Sequence, residues 1–152
     1  MPQQGHVEWM GIRPKKREEV LEQHEITVSI DEGIKGDHYS KQGGKRMVTL
    51  IQAEHLQVVG EIIGKKVSPL DLRRNIVVSG INLYALQDAT FSVGDVILQG
   101  TGFCHPCSRM ETNLGPGGYN AMRGHGGITA KVIGGGYLKL SDKVIIHKDV
   151  NT

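Results

Sequence analysis

Apolar residues recur at alternate positions early in the chain, switch to a helical spacing near its middle, and then return to short runs. Between Val7 and Ile12, the residues Val7, Trp9 and Gly11 alternate with polar or smaller neighbours, which predicts an opening strand. Arg13-Pro14 ends it, because proline cannot donate to a ladder. From Glu25 to Ile30, the residues Ile26, Val28 and Ile30 stand against Thr27 and Ser29, the pattern of a half-buried strand. Met47 to Ile51 contains β-branched residues and no breaker, and predicts a third strand. Ala53 to Ile63 changes period. Leu56, Val59 and Ile63 share one helical face, and Gly64 stands where helix C-caps are favoured. Ser68-Pro69 reads as an N-cap followed by proline in the first helical position, giving a short helical turn over Pro69 to Leu72.

Asn75 to Ser79 and Ile128 to Ile133 are further strands. The segments Phe91 to Leu98 and Leu138 to Ile146 resemble each other. Each sets a small residue and an aspartate, Gly94-Asp95 and Ser141-Asp142, just ahead of an apolar run. That turn signal suggests two strands entering one sheet from similar corners. Glycines cluster at 115, 117 and 118, at 124, 126 and 127, and at 134 to 136. Such groups punctuate turns, and they also let backbone amides approach an anion closely. Predicted strands outnumber helices about three to one, without the alternation of a doubly wound sheet. The expected class is mainly β: a small barrel with a few short helices, forming a single domain over 1–152 with its core at about 7–147.

Composition narrows the function classes. With 38% hydrophobic and 22% charged residues, the 152-residue chain is globular and large enough for a real core. A net charge of +2, with no basic run longer than Lys15-Lys16-Arg17, argues against nucleic acid as a partner. No stretch approaches the roughly 20 apolar residues that span a bilayer, so no membrane is expected. Met1-Pro2-Gln3-Gln4 lacks the opening of a signal peptide, and a cytoplasmic location is expected. Thiols are usually kept reduced there, which disfavours a structural disulfide.

The chemistry concentrates in Phe103-Cys104-His105-Pro106-Cys107-Ser108-Arg109, which carries both cysteines of the chain. A thiolate is the nucleophile and the soft metal ligand, and nearby positive charge favours it. His105 and Arg109 supply that charge. Several readings are open. A thioredoxin-like pair has this spacing, but it opens a long helix, which the glycines after Ser108 would not sustain. A zinc site needs two more ligands, for which His38 and His125 are candidates. Two buried, inert cysteines are the plain alternative. Elsewhere, Arg73-Arg74-Asn75 leads into the strand at Ile76, where guanidinium groups could grip phosphate bidentately.

The order Gly11-Ile12-Arg13-Pro14, Gly36-Asp37-His38, Val48-Thr49-Leu50-Ile51, Arg73-Arg74-Asn75-Ile76, Phe91-x-Val93-Gly94-Asp95, Cys104-His105-Pro106-Cys107, Gly126-Gly127-Ile128 and Ser141-Asp142-Lys143-Val144 resembles the MOSC domain, the C-terminal part of molybdenum cofactor sulfurases. The resemblance runs from about Val7 to His147. Its most specific parts are the Arg-Arg-Asn-Ile and Cys-x-Pro-Cys elements, while Ser141 stands where the family commonly has glycine. It implies a β-rich barrel and a molybdenum cofactor (molybdopterin) that is bound or supplied with sulfur. Cys107 is then the functional thiol and candidate metal ligand. Arg73 and Asn75 match the step that contacts the anionic pterin, and Arg13, His38 and His105 match cofactor-contacting positions more loosely. Arg109 and His105 would favour the Cys107 thiolate.

Two further functions remain open. One is a molybdenum-dependent reductase of N-hydroxylated compounds that takes electrons from a separate protein. The amidoxime-reducing members have a longer N-terminal region and different residues after the cysteine, which this chain lacks. The other is a thiol-disulfide exchange protein. The implied partners are a sulfur donor or an electron-transfer protein.

Overall fold

A computed structural model describes residues 4–14, 19–37, 47–104 and 109–147, with the backbone alone at 109 and 110. The chain runs β1 (Gln4–Ile12), β2 (Leu21–Gln23), β3 (Glu25–Ser29), β4 (Gly33–Ile34), β5 (Val48–Gln52), α1 (Ala53–Ile63), α2 (Pro69–Leu72) and β6 (Ile76–Ser79). A 3-10 turn at Leu83–Leu86 follows, then β7 (Thr90–Val93), β8 (Val96–Phe103), α3 (Arg109–Leu114), α4 (Gly118–Met122), β9 (Ile128–Gly134), β10 (Gly136–Lys139) and β11 (Lys143–Ile146).

The main sheet has the order β11-β7-β8-β9-β5-β6-β1-β2, and a second pairing of β11 with β1 closes the seven strands from β11 to β1 into a barrel. Closure removes the open edges that an exposed sheet would present. Among the described residues only β5 and β6 pair in parallel, and α1 and α2 form the crossover that a parallel pair requires. A smaller sheet, β10-β3-β4, lies outside the ring.

Two apolar clusters follow from alternation along the central strands. Leu50, Ile76, Val78, Phe91, Leu98, Ile128 and their neighbours fill the barrel. Ile51 and Val77 point the other way and pack with Leu56, Val59, Leu72, Leu114 and Met122 from the helices. Strands β5 and β6 are therefore buried on both faces, which explains their nearly unbroken apolar sequences.

The helix at Ala53–Ile63 and the turn of helix at Pro69–Leu72 fall where the spacing predicts them. Gly64 caps α1 at φ 75°, with its N–H on Gly60 O, and Ser68 Oγ accepts from Leu70 N. The two aspartate turns meet as well. Gly94 N donates to Lys143 O, and a Cβ on Gly94 would strike the Asp142 carboxylate. Ile30 departs from its predicted alternation. Strand β3 stops at Ser29, and Ile30 sits in the following turn, 52% exposed.

Helices α3 and α4 have no counterpart in the sequence reading. Gly117 opens α4 at φ 87° without a side-chain cap. The missing acceptors come from Glu111 on α3, whose carboxylate takes the N–H groups of Gly117 and Tyr119, each at 3.1 Å. A capping signal six residues before the N-cap cannot be found by local pattern.

Those two N–H groups hold the Glu111 carboxyl below its ordinary pKa, with burial opposing weakly. A depressed carboxylate pKa contributes stability above the unfolded value, lost as pH falls through the folded one. Glu111→Gln should therefore lower the melting temperature at neutral pH. The difference from wild type should vanish in acid below the folded pKa, as read by thermal denaturation across pH.

Candidate functional site at the barrel mouth

Strand registers bring the sequence-predicted residues to one end of the barrel. Gly11 N donates to Asn75 O just before β6, and Asn75 N donates to Thr49 O at the start of β5. Thr49 pairs with Thr129 at the start of β9, which pairs with Gly102 at the end of β8. This mouth therefore gathers Arg13 after β1, Arg73 and Arg74 before β6, Cys104 after β8, and Gly126-Gly127 before β9. His38, His105 and Cys107, and the side chain of Arg109, lie outside the described residues.

A polar network organises the mouth. Asn75 is 0% exposed, and its Oδ1 faces Thr49 N, Thr49 Oγ1 and Arg13 Nη2, each at 3.1 Å. Its Nδ2 donates to Gly11 O and Asp37 Oδ1, both at 3.1 Å. Arg13 forks onto Asp37 through Nε and Nη2, at 3.1 and 3.0 Å, and its backbone N–H adds a 2.7 Å bond. Arg13 Nη1 donates to Arg73 O at 3.2 Å. The polar atoms of Asn75 are thus engaged within the protein, and Arg13 neutralises a buried carboxylate while bracing the 73–75 step. Arg73 holds φ 55° at the end of α2, a left-handed conformation that costs a non-glycine residue about 1 kcal/mol. Asp37 belongs to the Gly36-Asp37-His38 element of the resemblance, which points to His38 and gives no role to the carboxylate.

Around the corner of the mouth lies a second group. Arg74 is 5% exposed, with Nε on Gly126 O at 2.9 Å and Nη1 on Leu72 O at 3.0 Å. Cys104 is half-buried, and its N–H donates to Gly127 O at 2.8 Å. A Cβ on Gly126 would collide with Cys104 O, and one on Gly127 with Leu50 O, so close backbone approach demands both glycines. Tyr84 donates its hydroxyl to Gly124 O. Its ring makes edge contacts with His55 at 5.7 Å and Phe103 at 5.0 Å, and His55 makes another with His125 at 5.1 Å. Burial raises the Tyr84 hydroxyl pKa, while the N–H groups of Gly127 and Gly126, and Arg74, pull against it. Burial lowers the His55 pKa, and His125 lowers it further, with Glu54 opposing. Of these positions the sequence singles out His125, as a candidate zinc ligand, whereas Tyr84 and His55 carry no signal because each stands alone within a different element.

Among the described residues, no cluster of three or more His, Cys, Asp and Glu side chains could hold a metal ion. The helix at Arg109–Leu114 is six residues long, not the long helix of a thioredoxin-like pair. No helix among the described residues is long and apolar enough to cross a membrane.

Two measurements test this geometry. Asp37→Ala strands the buried Arg13 guanidinium and should cost about 3–5 kcal/mol in urea denaturation. His55 should titrate below its ordinary 6.5 by NMR. Its neutral form is favoured by folding, so that contribution is present above pH 6.5 and lost as pH falls toward the folded pKa. The urea midpoint should therefore drop on acidification from about pH 7 to about pH 5, and less so in His55→Gln.

The fold is shared with several solved structures. The YUAD protein from Bacillus subtilis superposes with a TM-score of 0.81 at 18% identity, covering 96% of this chain and 97% of that one. YiiM from Geobacillus stearothermophilus gives 0.75 at 15% identity, covering 95% and 75%. YiiM from Escherichia coli gives 0.71 at 16% identity, covering 95% and 71%. No curated protein shows significant sequence similarity to this chain. The MOSC domain family, generally linked to molybdenum cofactor binding, matches residues 37–145. Spanning the barrel from Asp37 to β11, that match makes the protein a member of the MOSC domain family.

Proposed function

We propose that the protein binds molybdenum cofactor, or carries sulfur destined for it, at this mouth through the thiolate of Cys107. The observation that carries the reading is the placement of Cys104, which leaves β8 beside Arg74 and the Gly126-Gly127 turn in a MOSC barrel. Covalent reach alone keeps Cys107 within about 11 Å of that cysteine.

The donor set suits an anionic, sulfur-bearing group. Among the described residues, the mouth carries Arg13, Arg73 and Arg74, of which Arg13 is matched by Asp37 and Arg74 is held by the carbonyl oxygens of Gly126 and Leu72. Arg73 would meet the anionic pterin, with Arg13 and Asn75 fixing its backbone from behind. His38, His105 and Arg109 follow from the family resemblance as further contacts and as the charge that favours a Cys107 thiolate. When bound, the group supplies a metal centre for which thiolate is a suitable soft donor. Sulfur carriage would use the same thiolate, which would attack the outer sulfur of a donor persulfide, break the donor's S–S bond and release the donor's thiolate.

Metal and pterin analysis tests the proposal on protein made in cells competent for cofactor synthesis. Stoichiometric molybdenum and pterin are expected, lost in Cys107→Ala and largely kept in Cys104→Ala. A folded wild-type protein without either, whose disulfide exchange needs both cysteines equally, would refute it. Reduction of an amidoxime with a supplied electron donor would add the reductase activity, which loaded but inactive protein would exclude.

A further inference from the structure

Helix α1 packs one face on the helical cluster and leaves another open. Leu56 and Val59 are buried, while Glu54, Gln57 and Glu61 are exposed. Along the open face lie two hollows of about 530 and 500 Å3, which meet at Leu56 and Gln57. The first runs past Gly60 to Lys65, Lys66 and Val67, beyond the end of the helix. The second runs past Glu54 to Pro69 and to Glu8, Trp9 and Val77 on the barrel wall. Joined, they form one groove with apolar walls along the 11 residues of α1, about 16 Å at 1.5 Å per residue. Leu70, next to Pro69, is a large apolar side chain left 48% exposed beside it.

The two ends of the groove carry opposite charge. Glu8 and Glu54 stand where α1 begins, and Lys65 and Lys66 where it has ended, all four exposed. The carboxylates are fixed in place. Glu8 Oε1 accepts from Ser79 Oγ, and Glu54 Oε2 accepts from Gly80 N at 3.0 Å. Among the described residues, no ion pair neutralises any of the four. Positions 54 and 66 lie six residues to either side of Gly60, which lines the groove. Turned end for end about Gly60, the surface is therefore complementary to itself, which is the property of an isologous two-fold contact.

We propose that this groove is the interface of a symmetric homodimer, in which the α1 helices of two copies lie antiparallel. Each Glu8-Glu54 end would face the other copy's Lys65-Lys66 end, and the apolar walls and Leu70 would be withdrawn from water. A parallel arrangement would set like charges against each other, so the charges also select the direction. A second copy is the fitting occupant because the chain itself supplies both halves of the pattern. A purely acidic or purely basic partner segment would match one end and be repelled by the other. The interface is defined by α1 and the strands behind it, without reference to molybdenum or to Cys107.

Sedimentation equilibrium of the full chain is the test. A reversible dimer is expected, weakened by added salt because its ion pairs lie near the surface. Lys65→Glu combined with Lys66→Glu should weaken dimerisation at least about tenfold, and Glu8→Lys combined with Glu54→Lys should do the same. Mixing these two variants should restore a dimer containing one copy of each, since every altered end then meets its opposite. If the Glu8 and Glu54 variant does not fold, the exposed lysine pair and Leu70→Asp still decide, each expected to shift the wild-type dimer to monomer. A wild-type chain that stays monomeric at low salt would overturn the proposal. So would a dimer that the lysine variant leaves intact, or two folded charge variants that do not associate when mixed.

Discussion

One buried amide holds the mouth together. Asn75 receives donors from β5 and from the residue after β1, and it donates to β1 and to the residue that follows β4 and its turn. A buried polar group is expensive unless satisfied, and here satisfaction requires three other segments, at Gly11–Arg13, Asp37 and Thr49, to arrive in register. The network therefore specifies geometry more than it adds stability. It also sets the left-handed turn at Arg73, whose carbonyl is gripped by Arg13.

That constraint sits on an unusual part of the barrel. At the parallel pair β5–β6 the chain must leave the ring and return in the same direction. The crossover brings α1 and α2 against the outer wall, where Ile51 and Val77 bury them. Arg73 and Arg74 stand where the crossover rejoins the barrel. The two arginines are thus consecutive in sequence yet serve different surroundings. Arg73 is braced from the Arg13 side, and Arg74 reaches over to the turn before β9.

Most of the scaffold was legible because its signals are local. Leu56 and Val59 with Gly64 mark α1, Ser68-Pro69 marks α2, and alternation marks β1 and β3. Helices α3 and α4 were hidden because Glu111 caps one from within the other. Strand β2 was hidden because Leu21 and Glu22 are exposed and carry no alternation. At the site, motif order picked out Arg13, Arg73 and Asn75, which stand together at one end of the barrel, but not the direction each side chain takes. Asn75 facing inward depends on Thr49 and Asp37, distant in sequence. Tyr84, His55 and His125 converge only through tertiary packing, which no periodicity encodes.

The cysteine segment is fastened at its two ends to different bodies. Cys104 is tied to the barrel through Gly127, while α3 begins at Arg109 and anchors Leu114 in the helical cluster. Any sliding of that helical layer over the wall would change the distance this short strap has to bridge. If Cys107 carries the chemistry proposed above, that chemistry would be coupled to the seam between the protein's two cores.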